Sequence, residues 1–161
     1  MITDSKSIVL LLGYQQKLLA ARSVHDVLDA LFQTFARCTG PLFGAAFLLD
    51  DRCRMPLVGR FGIPQPDSAC FCRALSAPVV EWTLRQGRCL LLDAGQEAGL
   101  FDRSIHRFLP GLTILSIPLL PDDPMGVILL YRKGEQPVTD ADLALAEMMS
   151  TPTAVAIERN E

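Results

Sequence analysis

The chain has 161 residues, of which 50% are hydrophobic and 20% are charged, and its formal net charge is −3. This length and composition allow a single domain to bury its own core, and they exclude an intrinsically disordered chain. The small negative charge gives no electrostatic reason to bind nucleic acid or an anionic membrane, so we expect neither as a partner.

The cysteine content and the amino-terminal region predict a cytoplasmic location. The five cysteines are an odd number, which does not suit a framework of paired disulfides. The continuous apolar run at 8–12 is too short for the core of a secretory signal or for a membrane span. We therefore expect reduced thiols that mostly fill space in the core.

The first part of the chain predicts two helices and a hairpin. Apolar residues recur at helical spacing over 5–21, which predicts the first helix. Ser23, with Asp26 three residues later, resembles a capping box and predicts the start of a second helix. The apolar runs at 43–49 and 55–61 flank a charged turn, so they predict two strands of an antiparallel hairpin.

The remainder predicts three more strands and a long final helix. The segment 70–85 reads as a helix interrupted near Pro78, and 89–93 as a strand. The connection at 94–110 is long for a compact domain, which favours a lid. Two apolar runs then flank an acidic turn, and Thr139 is the expected N-cap of a helix that Pro152 kinks near Met148. The predicted fold is α+β, with terminal helices on one face of an antiparallel sheet.

Four stretches of the second half resemble one family. They are Pro110-Gly-Leu-Thr-Ile-Leu-Ser-Ile-Pro-Leu119, Gly126-Val-Ile-Leu-Leu, Pro137-Val-Thr-Asp-Ala-Asp-Leu143 and the closing Ala-Val-Ala-Ile-Glu-Arg-Asn. In this order they resemble the C-terminal half of a GAF domain, a small ligand-sensing module of signalling proteins. We accordingly divide the chain into an N-terminal helix at 1–22, a candidate dimerisation or linker helix, and a GAF-like sensor domain at 23–161.

The resemblance implies a non-catalytic cytoplasmic sensor with a pocket on the sheet face opposite the terminal helices. Such a domain passes a signal to an output module, for example a histidine kinase. Because the sequence shows no helix cap near Glu161, we expect the last helix to continue into such a module. The Asn-Lys-x-Phe-Asp-Glu set of cyclic-nucleotide-binding members is absent, and neither Cys70 nor Cys72 is followed by the histidine that is usual where a bilin is attached. The cofactor, if there is one, therefore stays unknown.

The candidate ligand-binding residues are aromatic, cationic or polar side chains of the predicted pocket and lid. Aromatic rings are typical of pocket walls, and arginine suits carboxylate or phosphate ligands. We expected no catalytic residue and no metal site. The candidates are Phe47, Arg60, Phe61, Cys70, Phe71, Cys72, Trp82, Asp93, Phe101, His106 and Phe108.

Two alternatives stay open beside the sensor. Cys70-Phe-Cys72, together with Cys89, leaves open a small thiol-dependent reductase like the free methionine sulfoxide reductases on the same fold, although the cysteine placement does not reproduce the pattern of those reductases. The terminal helices favour a purely structural dimerisation module, and in either case we expect a homodimer. The apolar residues expected in its interface are Ile8, Leu11, Leu12, Leu18, Leu19, Met148 and Val155.

Overall fold

The computed structural model describes residues 5–40, 43–52, 54–62, 78–93, 113–132 and 137–161. This part of the chain contains four helices and five strands. In chain order they are α1 (Ser5–Ala20), α2 (Val24–Thr39), β1 (Phe43–Leu48), β2 (Leu57–Phe61), α3 (78–86), β3 (Leu90–Asp93), β4 (Thr113–Leu119), β5 (Gly126–Arg132) and α4 (Asp140–Asn160).

The helix starts follow the local signals in the sequence. The Ser23 hydroxyl accepts a hydrogen bond from the Asp26 backbone N–H at 3.1 Å, and Gly40 ends α2 with a φ of 96°. At the start of α4, the Asp142 carboxylate accepts hydrogen bonds from the backbone N–H and the hydroxyl of Thr139. Both side chains satisfy backbone donors that a helix start leaves unpaired.

All five strands join one antiparallel sheet in the order β2-β1-β5-β4-β3. The predicted α+β fold with its antiparallel sheet is therefore confirmed. A register shift between Ala46 and Phe47 leaves Val58 without a partner in β1, which is a bulge at the edge of the sheet. None of the helices in the described part of the chain has both the length and the apolar character that a bilayer crossing requires.

One face of the sheet, called here the helix face, packs against α2 and α4. Phe32 and Leu31 of α2, Met149 and Ile157 of α4, and Leu130 of β5 belong to one buried apolar cluster. Gly44 marks the closest approach, because a Cβ atom there would lie 2.7 Å from Phe32 Cε1 and 2.9 Å from Leu130 Cδ2. A larger residue would push β1 and α2 apart.

Helix α1 forms an outer layer that packs on α2 and α4. Tyr14 and Leu18 are its buried residues. The Thr153 hydroxyl donates to the Met149 carbonyl, so the Tyr14 hydroxyl must be the donor in its 2.6 Å hydrogen bond to Thr153. Tyr14 and Leu18 thus fix α1 to the carboxyl-terminal half of α4.

The other face, called here the opposite face, packs against α3. Val79 and Val80 of α3 cluster with Phe47 of β1, Ile114 of β4 and Leu129 of β5. Among the sequence expectations, the lid at 94–110 and the start of the 70–85 helix lie outside the described residues. The described part of this segment, from Pro78 to residue 86, is helical.

Candidate functional site

The opposite face presents an apolar surface that alternation along the strands creates. Phe43, Ala45 and Phe47 of β1 lie beside Leu129 and Tyr131 of β5 in the antiparallel register. Successive side chains of a strand point to opposite faces, so every second residue of these strands contributes to this surface. Of the predicted candidates, Phe47 lies here, fully buried beneath α3.

Two aromatic residues on this face were not among the candidates predicted from the sequence. The rings of Phe43 and Tyr131 stack with a centroid separation of 5.3 Å and an interplanar angle of 17°. Phe43 is half-buried, and it precedes Phe47 by four residues on the same strand. That even spacing was the signal that would have placed both on one face, and β5 pairing then brings Tyr131 beside Phe43.

Arg60 and Phe61 were both expected in the pocket wall, but as neighbours in β2 they point to different faces. Arg60 pairs with Ala45 and is exposed on the opposite face. Phe61 stacks on Phe32 of α2 at a centroid separation of 5.5 Å. Strand alternation therefore places Phe61 in the core of the helix face, away from the predicted pocket wall.

Trp82 and Asp93 are not brought together with Arg60 and Phe47. Helix α3 turns Val79 and Val80 toward the sheet, and Trp82 remains 37% exposed. Asp93 is exposed at the end of β3, where it pairs with Thr113. The remaining candidates lie outside the described residues: Cys70, Phe71, Cys72, Phe101, His106 and Phe108.

A buried pair of hydroxyls holds α3 on the sheet. The Thr83 hydroxyl donates to the Val79 carbonyl at 2.7 Å, so the Ser116 hydroxyl donates to Thr83 Oγ1 at 2.5 Å. Both side chains are fully buried. Each donor has an acceptor, which removes the cost of placing hydroxyls between two apolar layers.

A buried ion pair connects the end of β5 to two helices. Arg132 Nη1 donates to Asp142 Oδ2 at 2.8 Å, and Nη2 donates at 2.8 Å to both the carbonyl and the hydroxyl of Thr39. Arg132 is 6% exposed and Asp142 is 1% exposed. Burial by itself raises the pKa of Asp142, but hydrogen bonds from Thr139 and the Arg132 guanidinium hold that pKa below its ordinary value.

Cys89 is the buried cysteine among the described residues, and its environment opposes thiolate formation. Burial raises its pKa to about 12, and the Glu147 carboxylate adds to the increase, while a hydrogen bond with Ser150 opposes it. The thiol is therefore protonated at neutral pH, and a protonated thiol is a weak nucleophile. This counts against a role for Cys89 in the reductase alternative.

The predicted dimerisation residues divide by exposure. Leu18 packs in the core, while Leu11 and Met148 are half-buried. The others are exposed hydrophobic residues: Ile8, Leu12, Leu19 and Val155.

The described residues contain no cluster of three or more histidine, cysteine or carboxylate side chains that would bind a metal.

The described residues thus form an α+β domain in which terminal helices cover one face of an antiparallel sheet and α3 packs on the other. The family model of the GAF domain matches residues 21–158. The chain therefore belongs to the GAF domain family, and the resemblance found in the sequence is confirmed. No curated protein matches the chain.

Solved structures of the same fold come from several kinds of protein. The GAF domain of an Acinetobacter phosphoenolpyruvate-protein phosphotransferase is 19% identical, with a TM-score of 0.73 over 98% of this chain and 95% of that one. The GAF domain of a two-component sensor histidine kinase from Bacillus halodurans is 19% identical, with a TM-score of 0.63 over 86% and 96%. Free methionine-R-sulfoxide reductase from Neisseria meningitidis, in complex with its substrate, is 13% identical, with a TM-score of 0.69 over 99% and 95%. The TM-scores show a shared fold, and identities this low leave the function to be argued from the site.

Proposed function

We propose that this GAF domain is a non-catalytic cytoplasmic sensor that binds a small ligand on the opposite face of its sheet. The ligand contacts Phe43 and Tyr131, and Arg60 at the sheet edge binds an anionic group of it. The signal passes to an output module, such as a histidine kinase, through α1 and α4. The similarity to GAF domains of signalling proteins supports the sensory role.

The observation that carries the proposal is the change of face between Tyr131 and Arg132. Tyr131 stacks on Phe43 on the opposite face, and the next residue, Arg132, bonds to Asp142 and Thr39 on the helix face. A ligand that displaces the backbone at Tyr131 also displaces Arg132, because the two are consecutive residues of β5. The first turn of α4 and the last turn of α2 therefore respond together.

Hydrogen exchange tests the coupling without knowledge of the ligand. Tyr131→Ala removes the ring stack, and we expect faster amide exchange across 137–161 as well as in β1 and β5. In an R132M/D142L background, which replaces the ion pair by apolar side chains, the same change should alter only the strands. Val58→Ala at the exposed bulge is the matched control. Faster exchange of α4 in both backgrounds would contradict the coupling.

Native mass spectrometry tests whether a ligand is bound at all. We expect the purified chain to retain a small molecule, or to be stabilised by an anionic member of a metabolite panel, and Arg60→Gln to reduce either effect. A chain with no added mass and no thermal shift with any member would favour the purely structural module.

The homodimer is proposed to form through the outer surface of α1 and the neighbouring part of α4. Ile8, Leu12 and Leu19 follow coiled-coil spacing, and Leu19 is 71% exposed beside an apolar groove that includes Val155. We expect L12E/L19E to convert a dimer to a monomer in analytical ultracentrifugation, while V58E at the sheet edge leaves it dimeric. An unchanged mass for L12E/L19E would place the interface elsewhere.

A further inference from the structure

A cavity of about 430 Å³ lies at the β3–β4 edge of the domain, apart from the surface around Phe43 and Tyr131. Its volume is in the range typical of small-molecule sites. It is bordered by the turn at the end of α3, the edges of β3 and β4, and the middle of α4. The lining residues are Gly87, Arg88, Cys89, Pro118, Leu120, Glu147, Ser150 and Thr151.

Arg88 and Glu147 give this cavity one positive and one negative charge. They come from different elements, since Arg88 precedes β3 and Glu147 lies on α4. Within the described part of the chain, neither side chain takes part in an ion pair. By contrast, Arg85 of α3 already binds Glu81 at 2.6 Å. The cavity therefore offers two opposite charges that are both available to a ligand.

The inner wall between these charges is neutral. Cys89 and Ser150 both line the cavity, and the Cys89 thiol stays protonated because burial raises its pKa to about 12. The Glu147 carboxylate contributes to that increase, so it lies close enough to act on the thiol. The Ser150 hydroxyl donates to the Glu147 carbonyl at 3.5 Å and also has a hydrogen bond with the Cys89 thiol, so the polar groups of this wall are already paired with each other.

We propose that this cavity binds a zwitterionic small molecule of the α-amino-acid class. The ligand carboxylate accepts hydrogen bonds from the Arg88 guanidinium, and its ammonium group donates to the Glu147 carboxylate. A simple anion is attracted by Arg88 and repelled by Glu147, and a simple cation meets the reverse, so a dipolar ligand is selected against both. The site goes beyond the function proposed above, because it is separate from Phe43 and Tyr131 and includes α4 itself.

Isothermal titration calorimetry with each of the twenty common amino acids tests the proposal. We expect at least one amino acid to bind, and its deamino carboxylic acid and its decarboxylated amine to bind at least ~10-fold more weakly. R88Q and E147Q should each weaken binding by at least ~10-fold, whereas R85Q, on the exposed side of α3, should leave it unchanged.

The charge swap R88E/E147R separates recognition from folding, because it restores one charge of each sign and should recover part of the lost affinity. Failure of all twenty amino acids to bind, or binding that is equal in R88Q, E147Q and the wild type, would overturn the proposal. Equal affinity for the amino acid and its deamino acid would overturn it too, because Glu147 would then have no part in recognition. These results do not depend on Tyr131 or Arg60, so they are distinct from failure of the proposed sensor pocket.

Discussion

The helix face of the sheet packs against two helices from distant parts of the chain, whereas the opposite face packs, within the described residues, against α3. The helix face also contains the buried pair of Arg132 and Asp142. The opposite face has instead the paired hydroxyls of Thr83 and Ser116 and the half-buried ring of Phe43. The helix face thus contains the buried ion pair, whereas the opposite face leaves Phe43 half-buried and Arg60 exposed.

This difference matters because the two faces share β5. Its alternate residues pack on α2 and α4 or face the opposite side, so the strand cannot shift on one side alone. In the proposed relay, a change at Tyr131 reaches the first turn of α4 and the last turn of α2 through Arg132. The predictions below test whether the two faces differ in stability as this view requires.

The largest effect is expected from Arg132→Met. It leaves the Asp142 carboxylate buried without its cation, and Asp142 Oδ1 already has no hydrogen-bond partner among the described residues. We expect a loss of about 3–5 kcal/mol in the free energy of unfolding, measured by urea denaturation, because an unpaired buried charge is costly.

Two comparisons sharpen that result. R132M/D142L should recover most of the loss, since it removes both charges together. Arg85→Met, which breaks an exposed pair with Glu81, should change stability by no more than about 0.5 kcal/mol. If R132M were as mild as R85M, the ion pair would not anchor the helix face.

The same pair predicts an acid dependence. The pKa of Asp142 is lowered in the folded state, so its stabilising contribution is present above the unfolded pKa of about 3.9 and is lost as pH falls through the folded value. The stability difference between the wild type and D142N should therefore be constant near neutrality and shrink below about pH 4. A difference that does not change across this range would contradict the lowered pKa.

A smaller effect is expected in the reactivity of Cys89. Its protonated, buried thiol should react with iodoacetamide at pH 8 at least ~10-fold more slowly than that of Cys38, which is exposed on α2. Peptide mass spectrometry over a time course measures both rates in one sample. Partial burial also raises the pKa of Cys38. The difference in labelling rate between the two cysteines should therefore come mainly from the greater exposure of Cys38. If Cys89 were labelled faster than Cys38, it would again be a candidate for the nucleophile of a reductase.

Some of this architecture could be read from the sequence because its signals are local. Ser23 and Thr139 marked two helix starts, and the apolar runs marked the strands, since caps and strand patterns depend on neighbouring residues. Arg132 was missed because its partners, Asp142 and Thr39, meet it only when β5 is flanked by both helices. Phe61 and Arg60 were both candidates for ligand binding, although adjacent residues of a strand face opposite sides of the sheet.

The cavity with Arg88 and Glu147 was also beyond the sequence. The two residues are far apart in the chain, and neither belongs to a motif. The middle of α4 lies beside the beginning of β3 because the β4–β5 hairpin and the length of α4 bring these two segments together. Only the assembled sheet therefore reveals that these charges line one cavity, while the exposed pair of Arg85 and Glu81 was readable as i, i+4 spacing on a helix.

The smallest effect is expected on the opposite face, from Ser116→Ala. Thr83 keeps its hydrogen bond to the Val79 carbonyl, so the change removes one donor and leaves no buried donor unpaired. We expect a loss of about 1 kcal/mol in the free energy of unfolding, with faster amide exchange confined to α3. A loss as large as that of R132M would mean that α3 is as firmly fixed as α2 and α4. The opposite face would then have no looser element to respond to a ligand, and the contrast between the two faces would fail.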